Sequence, residues 1–520
     1  MPSSTMDRRV SGPSAPGGLL GLPARPAPTE SSPLLGPPTA PPPPRKHHHG
    51  LIGLDRPATT WNELRVLVHS SIPLSAGLML ENALNTINIL IVGRLGSAEL
   101  AVAGNSSLLI MVTGYPLPLA LAAAFTTLSA PLYAQPEARY HIGHILQRTL
   151  LLSLISAAFI MVFWWNISPI LLALKQPKEL VHGMKYYLRA ATLVLPALGL
   201  VESMKAYLQV QGIMSPPPLI LLALLPFHTG LAIYLVHYTS LGAPGAAIAT
   251  ATTLWVTGIL LVLYAMRTRA AQCWDGFTQR AWADWDAVLW LAVPGALMFG
   301  SELWAFEVIA LLAGRLGHNA VAAQAVISTL DNLVAMVPYA ISIGIANRVG
   351  NLLGFGLRAI KRARRAVRAG FVLEILVAGS TGLVVLIWRE KIALIFTDDR
   401  EVAKEAAQAA IFVASYQLFD GLQNVGAACL RAFGRQNVGS VIHFIGYYVV
   451  GLPIGAYLGL GPPHWGLAGL WAGAALALAC TSAAELLIAF NIHWENEVER
   501  VQARETDESS DEGEEDEFEE

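Results

Sequence analysis

Hydrophobic stretches, each long enough to cross a bilayer, follow one another from about residue 66 to residue 494 with only short polar loops between them. The hydrocarbon core is about 30 Å thick and a helix rises about 1.5 Å per residue, so a span needs about 20 mainly apolar residues. No water reaches that core to satisfy a stray N–H or C=O, so such segments must be helices. Twelve are read, near 66–92, 100–128, 145–170, 184–211, 217–239, 244–266, 286–313, 320–350, 367–388, 403–428, 437–459 and 466–491. The expected fold class is an all-α integral membrane protein of twelve transmembrane helices with no room for a large soluble domain. At 14% charged residues the chain departs from the roughly 25% of ordinary soluble domains.

Both ends differ from the middle. Residues 1–60 are rich in Pro, Gly and Ser, including Pro41 to Pro44, and carry no periodic apolar face, so they read as a disordered cytoplasmic arm. His47, His48 and His49 lie there and read as solvated linker rather than as metal ligands. Residues 501–520 read as an acidic disordered tail, with eleven acidic residues and no basic one between Glu505 and Glu520. Without that tail 34 basic residues stand against 26 acidic ones, an excess suited to loops facing anionic lipid and not to a nucleic-acid surface. Nothing at the start reads as a removable signal peptide, which leaves the first span as the targeting signal. Thirteen Lys and Arg residues, among them Arg362, Arg431 and Arg435, fall on one side of the twelve spans and eight on the other. That asymmetry predicts both termini in the cytoplasm.

The chain also repeats itself. Pro73, Glu81 and Gly93-Arg94-Leu95-Gly96 recur 221 residues later as Pro294, Glu302 and Gly314-Arg315-Leu316-Gly317. Gln211-Gly212 is matched by Phe433-Gly434 and Gly245 by Gly469, at offsets of 222 and 224. The duplication therefore covers six helices and predicts two pseudo-symmetric bundles, 61–270 and 271–500. An even repeat number leaves both halves in the same orientation about an axis along the membrane normal, with a cleft between them.

A carboxylate in mid-bilayer costs about 2.5–3.5 kcal/mol even on lenient scales. The candidates are Glu81, Glu202, Glu302, Glu307, Asp331, Glu374, Asp420 and Glu485. Glu202 has Lys205 one helical turn on, the spacing of a structural ion pair. Glu302 and Glu307 lie in SELWAFEVIALLAGRLG with no basic residue before Arg315, so no local counter-ion is expected. Groups of this kind suit the uptake and release of a proton. Five positions apart, they diverge by about 140° on an ideal helix, so they share one point only in a wide cleft or an unwound helix. Gln417, Asp420 and Asn424, spaced by three and four, form one polar stripe expected to line the cleft. Glu81, Gln417, Asn424, Trp304 and Tyr447 are the candidate cavity-lining residues, with core packing the competing role for the aromatics and a copied folding role the competing one for Glu81. The embedded His228 and His443 have no acidic partner legible in the sequence, and Pro116, Pro118 and Pro338 read as packing kinks.

No catalytic constellation is present: no P-loop, no HExxH and no GxSxG. The chain is not expected to be an enzyme. Three scattered cysteines, Cys273, Cys429 and Cys480, support neither a disulfide framework nor a metal site, and no cofactor is expected.

Several stretches in order are recognisable: ENALNTINILIVGRLGSAELAVAG, SELWAFEVIALLAGRLG, ISIGIANRVGNLLG, FDGLQNVGAACLRAFGRQNVGSVIHFIGYYVVGLPIGAYLG and HWENEVERV. Together they resemble the eukaryotic branch of the multidrug and toxic compound extrusion (MATE) family, from about residue 62 to residue 500. The resemblance implies two six-helix bundles in a V and antiport of organic cations or other amphiphilic small molecules against protons. It also implies that Glu302, Glu307 and Asp420 couple proton and substrate movement. Where many relatives carry two adjacent tryptophans, this chain has Leu303-Trp304. In the N-terminal arm Glu30, Leu34 and Leu35 fit an acidic dileucine sorting signal, which in similar proteins is read by sorting adaptors and directs traffic to vacuolar or lysosome-like membranes. The plasma membrane is the other expected location. The alternatives on the same residues are a lipid-linked flippase, an anionic-metabolite carrier, a sodium-coupled exporter and, from a different class, a membrane-embedded enzyme or scaffold.

Overall fold

The computed structural model describes residues 57–503. The sorting motif of Glu30, Leu34 and Leu35 and the acidic tail lie outside the described residues. Within them the chain is helical, with no strand.

The first half holds α1 (Thr60–Val92), α2 (Ser97–Tyr133), α3 (His141–Trp165), α4 (Lys178–Ala191 with Val194–Val210), α5 (Pro216–His237) and α6 (Pro244–Arg267). The second holds α7 (Trp285–Ala313), α8 (His318–Leu353), α9 (Ile360–Phe396), α10 (Arg400–Ala432), α11 (Gln436–Leu460) and α12 (Leu467–Asn491). Residues 494–503 add a short helix, α13. Among the described residues ten helices are long and apolar enough to cross a membrane, and the two pieces of α4, bent by 46°, make an eleventh. The twelfth, α10, is 33 residues long but less apolar. It packs inside its half against α8, α9 and α12, so its polar side chains face protein and need not be lipid-soluble. The twelve spans and two six-helix halves expected from the repeat are present, and the apolar side chains of Phe159, Val162, Ile259, Leu311, Leu383 and Ile387 stand exposed on the outer surface, as a lipid-facing belt requires.

Local chemistry sets the helix ends. Thr59 caps α1 by accepting from the Asn62 N–H at 3.2 Å, and Asp399 caps α10 from Glu401 N–H at 2.9 Å. Pro116 does more than kink α2: it opens a second helix at N1 after a break at Tyr115, while Pro338 sits inside the unbroken α8. The repeated glycines mark turns. Gly96 and Gly317 have φ of 130° and 117°, and Gly212 and Gly434 have φ of 72° and 67°, conformations a side chain rarely tolerates. These two pairs of duplicated glycines thus make turns that each half needs in the same place.

In the second half α11 and α12 approach through glycines. A Cβ on Gly473 would lie 2.4 Å from Gly455 Cα and 2.5 Å from Gly451 O, and backbone cannot yield as a side-chain tip can. Beside this contact α11 widens into a π-helical turn at Ile445–Gly451, which no sequence signal announced. The α13 helix folds under this half, burying Trp494, Val498 and Val501, with Trp494 edge-on to Phe433 at 5.1 Å. Gly473→Ala is expected to destabilise the purified protein by about 1–3 kcal/mol. The check is its thermal unfolding in detergent; a midpoint equal to wild type would contradict the close α11–α12 packing.

Candidate functional site

The halves meet along α1 and α2 on one side and α7, α8 and α9 on the other. Among the described residues the side-chain bonds across that seam, all but that of Trp304 to Val112, gather at the end where both described termini lie. There Glu63, fully buried, accepts from Arg348 Nε at 2.7 Å and Nη2 at 3.1 Å and from Arg362 Nε at 2.6 Å. Nearby Thr127 Oγ1 donates to the Arg431 carbonyl at 2.9 Å and accepts from Gln436 Nε2 at 3.0 Å. Asn351 Nδ2 donates to Val210 O at 3.3 Å, and Gly354 lies so close to Pro131 that a Cβ would overlap its carbonyl. The cleft is sealed at this end.

Beyond the seal lies a cavity of about 310 Å³. Glu81 of α1 and Glu202 and Lys205 of α4 form part of its wall. Lys205 Nζ donates to Glu81 Oε1 at 2.7 Å and to Glu202 Oε1 at 2.8 Å. The Glu202–Lys205 pair has the geometry its spacing predicted, and Glu81, 124 residues away in sequence, joins it. The opposite wall carries Phe299 of α7, Met336 and Tyr339 of α8, and Arg431 of α10.

A second polar group lies inside the C-terminal half. Gln417 Nε2 donates to Asp331 Oδ1 at 2.7 Å, and Asn424 Nδ2 donates to the Asp420 carbonyl at 3.0 Å. Asp420 has Glu302, Asp331 and, on α9, the fully buried Glu374 as electrostatic neighbours. Glu302 in turn neighbours His443, Tyr447 and Glu485. No Lys or Arg pairs with any of these carboxylates among the described residues. In so dense a set the proton occupancy of each carboxylate depends on its neighbours.

Four sequence expectations change. The polar stripe does not line the 310 Å³ cavity: Gln417 and Asp420 are buried within the half, as is Tyr447. Trp304 is also outside that cavity wall; its Nε1 donates across the seam to Val112 O at 3.1 Å, roughly midway along both helices. His443 does have an acidic partner, with its Nε2 3.1 Å from Glu485 Oε1, whereas His228 faces only the Thr253 hydroxyl at 3.0 Å. Glu302 does not lack a basic neighbour, because His443 lies beside it; Glu307, on the unbroken α7, is turned from the group and only partly buried.

The seal around Glu63 was missed. Glu63 sits in the first turn of α1, where an acid ordinarily complements the helix dipole at a surface, so only the arginine within ANRVGN hinted that a carboxylate must come to meet it.

A cleft closed at one end between two repeated six-helix halves, with ionisable groups buried around it, defines a secondary membrane transporter rather than an enzyme. The MatE family model matches residues 73–235 and 294–457, one match per half, beginning at the two repeat prolines. Multidrug and toxin extrusion protein 1 of Homo sapiens is 30% identical over 478 residues, covering 92% of this chain and 82% of its own length. Uncharacterized transporter C4B3.13 of Schizosaccharomyces pombe is 32% identical over 441 residues, covering 84% and 81%. The crystal structure of the eukaryotic MATE transporter AtDTX14 aligns with a TM-score of 0.80 over 86% of this chain and 99% of its own, at 22% identity. The chain belongs to the MATE family.

Removing one partner of a buried ion pair costs about 3–5 kcal/mol because the other charge stays behind. Glu63→Gln is therefore expected to loosen the seal. The readout is the rate at which a water-soluble maleimide, applied at the sealed end, labels Asn347→Cys in a Cys480→Ser background. A clear rise is expected; an unchanged rate would remove Glu63 from the seal.

Proposed function

We propose that this transporter exports organic cations or other amphiphilic small molecules by antiport against protons through alternating access. The observation that carries the reading is the group of carboxylates Glu302, Asp331, Glu374, Asp420 and Glu485, with His443 against Glu485 and no Lys or Arg at ion-pair distance of any of them among the described residues, outside the cavity lining but partly on the helices that form it. Glu302 lies one turn from Phe299 on α7 and Asp331 little more than one turn from Met336 on α8, so a proton gained or lost in the group changes the packing of both cavity-wall helices. Glu302 and Asp420 are the principal coupling residues on this reading, with Glu307 a peripheral member and Glu81 a cavity residue. The name of the human relative, a multidrug and toxin extrusion protein, supports the direction and the cargo class.

The excess of basic residues at the sealed end supports cytoplasmic termini. The sealed end is then cytoplasmic and the conformation outward-facing, with bodies 61–270 and 271–500 rocking about the cavity. Differential affinity for cargo between protonated and ionised states provides the coupling. The membrane is vacuolar or plasma membrane, the former favoured by the dileucine motif.

In proteoliposomes, efflux of fluorescent organic cations is expected to follow an imposed pH gradient and not a sodium gradient. Glu302→Gln and Asp420→Asn, correctly inserted, are expected to lower the pH-driven rate at least about tenfold, the scale of a 1.4 kcal/mol change in the barrier. Normal rates and normal pH dependence in both variants would sink the coupling assignment, and a response to sodium alone would make this a sodium-coupled exporter.

A further inference from the structure

Four arginines are buried among the described residues: Arg148, Arg348, Arg362 and Arg431. Three have a carboxylate. Arg148 Nη2 lies 2.7 Å from Asp284 Oδ2, and Arg348 and Arg362 share Glu63. Arg431 is more than nine-tenths buried, and no carboxylate reaches ion-pair distance of it among the described residues. Its guanidinium donates to the Ser342 hydroxyl from Nη2 and stands 5.7 Å from the centroid of the Phe299 ring. Glu485 acts on this cation only from beyond ion-pair distance, a hydroxyl and a ring face do not neutralise it, and among the described residues four of the five N–H donors of the fork have no partner.

This guanidinium lines the 310 Å³ cavity, within the size range of about 300–1,000 Å³ for small-molecule sites. Beside it are Phe299, Met336 and Tyr339, which present rings and a thioether to a flat apolar body. The triad of Glu81, Glu202 and Lys205 also borders the cavity and carries one net negative charge when its three members are ionised.

We infer that Arg431 is the anion-binding point of the cavity, so that the cargo includes amphiphiles bearing a carboxylate or sulfonate, and zwitterions whose cationic end meets the Glu81–Lys205–Glu202 triad. The missing carboxylate for Arg431 is then supplied by the cargo, in the forked geometry that guanidinium and carboxylate share. The inference deepens the transport reading by naming a cargo class and rests on it only for the use of the cavity.

The test reads binding without any gradient, so it stands or falls separately from proton coupling. Full-length protein in phosphatidylcholine nanodiscs is dialysed to equilibrium against three probes of one shape: 2-naphthoate, the neutral 2-naphthylmethanol and the cationic 2-naphthylmethylammonium. Wild type is expected to bind naphthoate about tenfold or more tightly than the alcohol, the scale of a charge-assisted hydrogen bond. Arg431→Gln is expected to abolish that preference while leaving the alcohol within about twofold. Arg431→Lys keeps the charge but loses the fork, and an intermediate preference is expected. No preference in wild type, or an undiminished one in Arg431→Gln, overturns the inference. Should the Gln variant not fold, the wild-type preference together with its reduction in Arg431→Lys decides the matter.

Discussion

One buried carboxylate governs how the halves meet. Glu63 on α1 holds Arg348 on α8 and Arg362 on α9, two guanidiniums that an interior of low dielectric would not accept alone. Satisfying them forces the start of α1 against the ends of two helices of the other half, and the remaining contacts follow. Gly350 and Gly354 let α8 lie on Ala130 and Pro131 of α2, where a larger residue would wedge the seam open. Gln436, Thr127 and the Arg431 carbonyl then continue the bridge across α11, α2 and α10. With the helices drawn together at this end, the cavity that remains between them runs from mid-depth residues such as Glu81 and Phe299 down to Gly350 and Arg431 beside the seal.

The fold was legible in the sequence because two strong constraints act locally. Span length follows from bilayer thickness, and the repeat follows from turns that only glycine makes, as the paired backbone angles of Gly96 with Gly317 and Gly212 with Gly434 demonstrate. The reading was weaker where a pattern fixes a face but not its neighbour. Gln417, Asp420 and Asn424 do share one side of α10, yet that side looks into the half, towards Asp331 on α8, and not into the main cavity. The low apolar content of α10 was the available clue: a helix ringed by protein can afford polarity on several sides.

Pairings across the bundle were beyond the sequence. Lys205 meets Glu81 over 124 residues, His443 meets Glu485 over 42 and Arg348 meets Glu63 over 285. Helical spacing speaks only of neighbours three or four apart, so of the charged contacts in the interior it revealed Glu202–Lys205 and left the others unpaired. The π-helical turn at Ile445–Gly451 is of the same kind, lying where α11 and α12 crowd together through Gly446 and Gly451 against Thr481 and Ala477.

The distribution of charge separates two tasks that a single pocket would mix. The inner carboxylates Glu302, Asp331, Glu374, Asp420 and Glu485 lie outside the wall of the 310 Å³ cavity, two of them on the wall helices α7 and α8, and among the described residues the one basic group at ion-pair distance of any of them is His443. The carboxylates that border the cavity, Glu81 and Glu202, are instead joined to Lys205, and the other charged group in its wall is the Arg431 guanidinium. On the proposed reading the cavity holds the cargo while the inner group takes and loses a proton. Its influence then passes along α7 and α8, which carry Glu302 and Asp331 as well as the cavity residues Phe299 and Tyr339. Proton and cargo need not compete for one carboxylate in that arrangement; they compete for the conformation of α7 and α8.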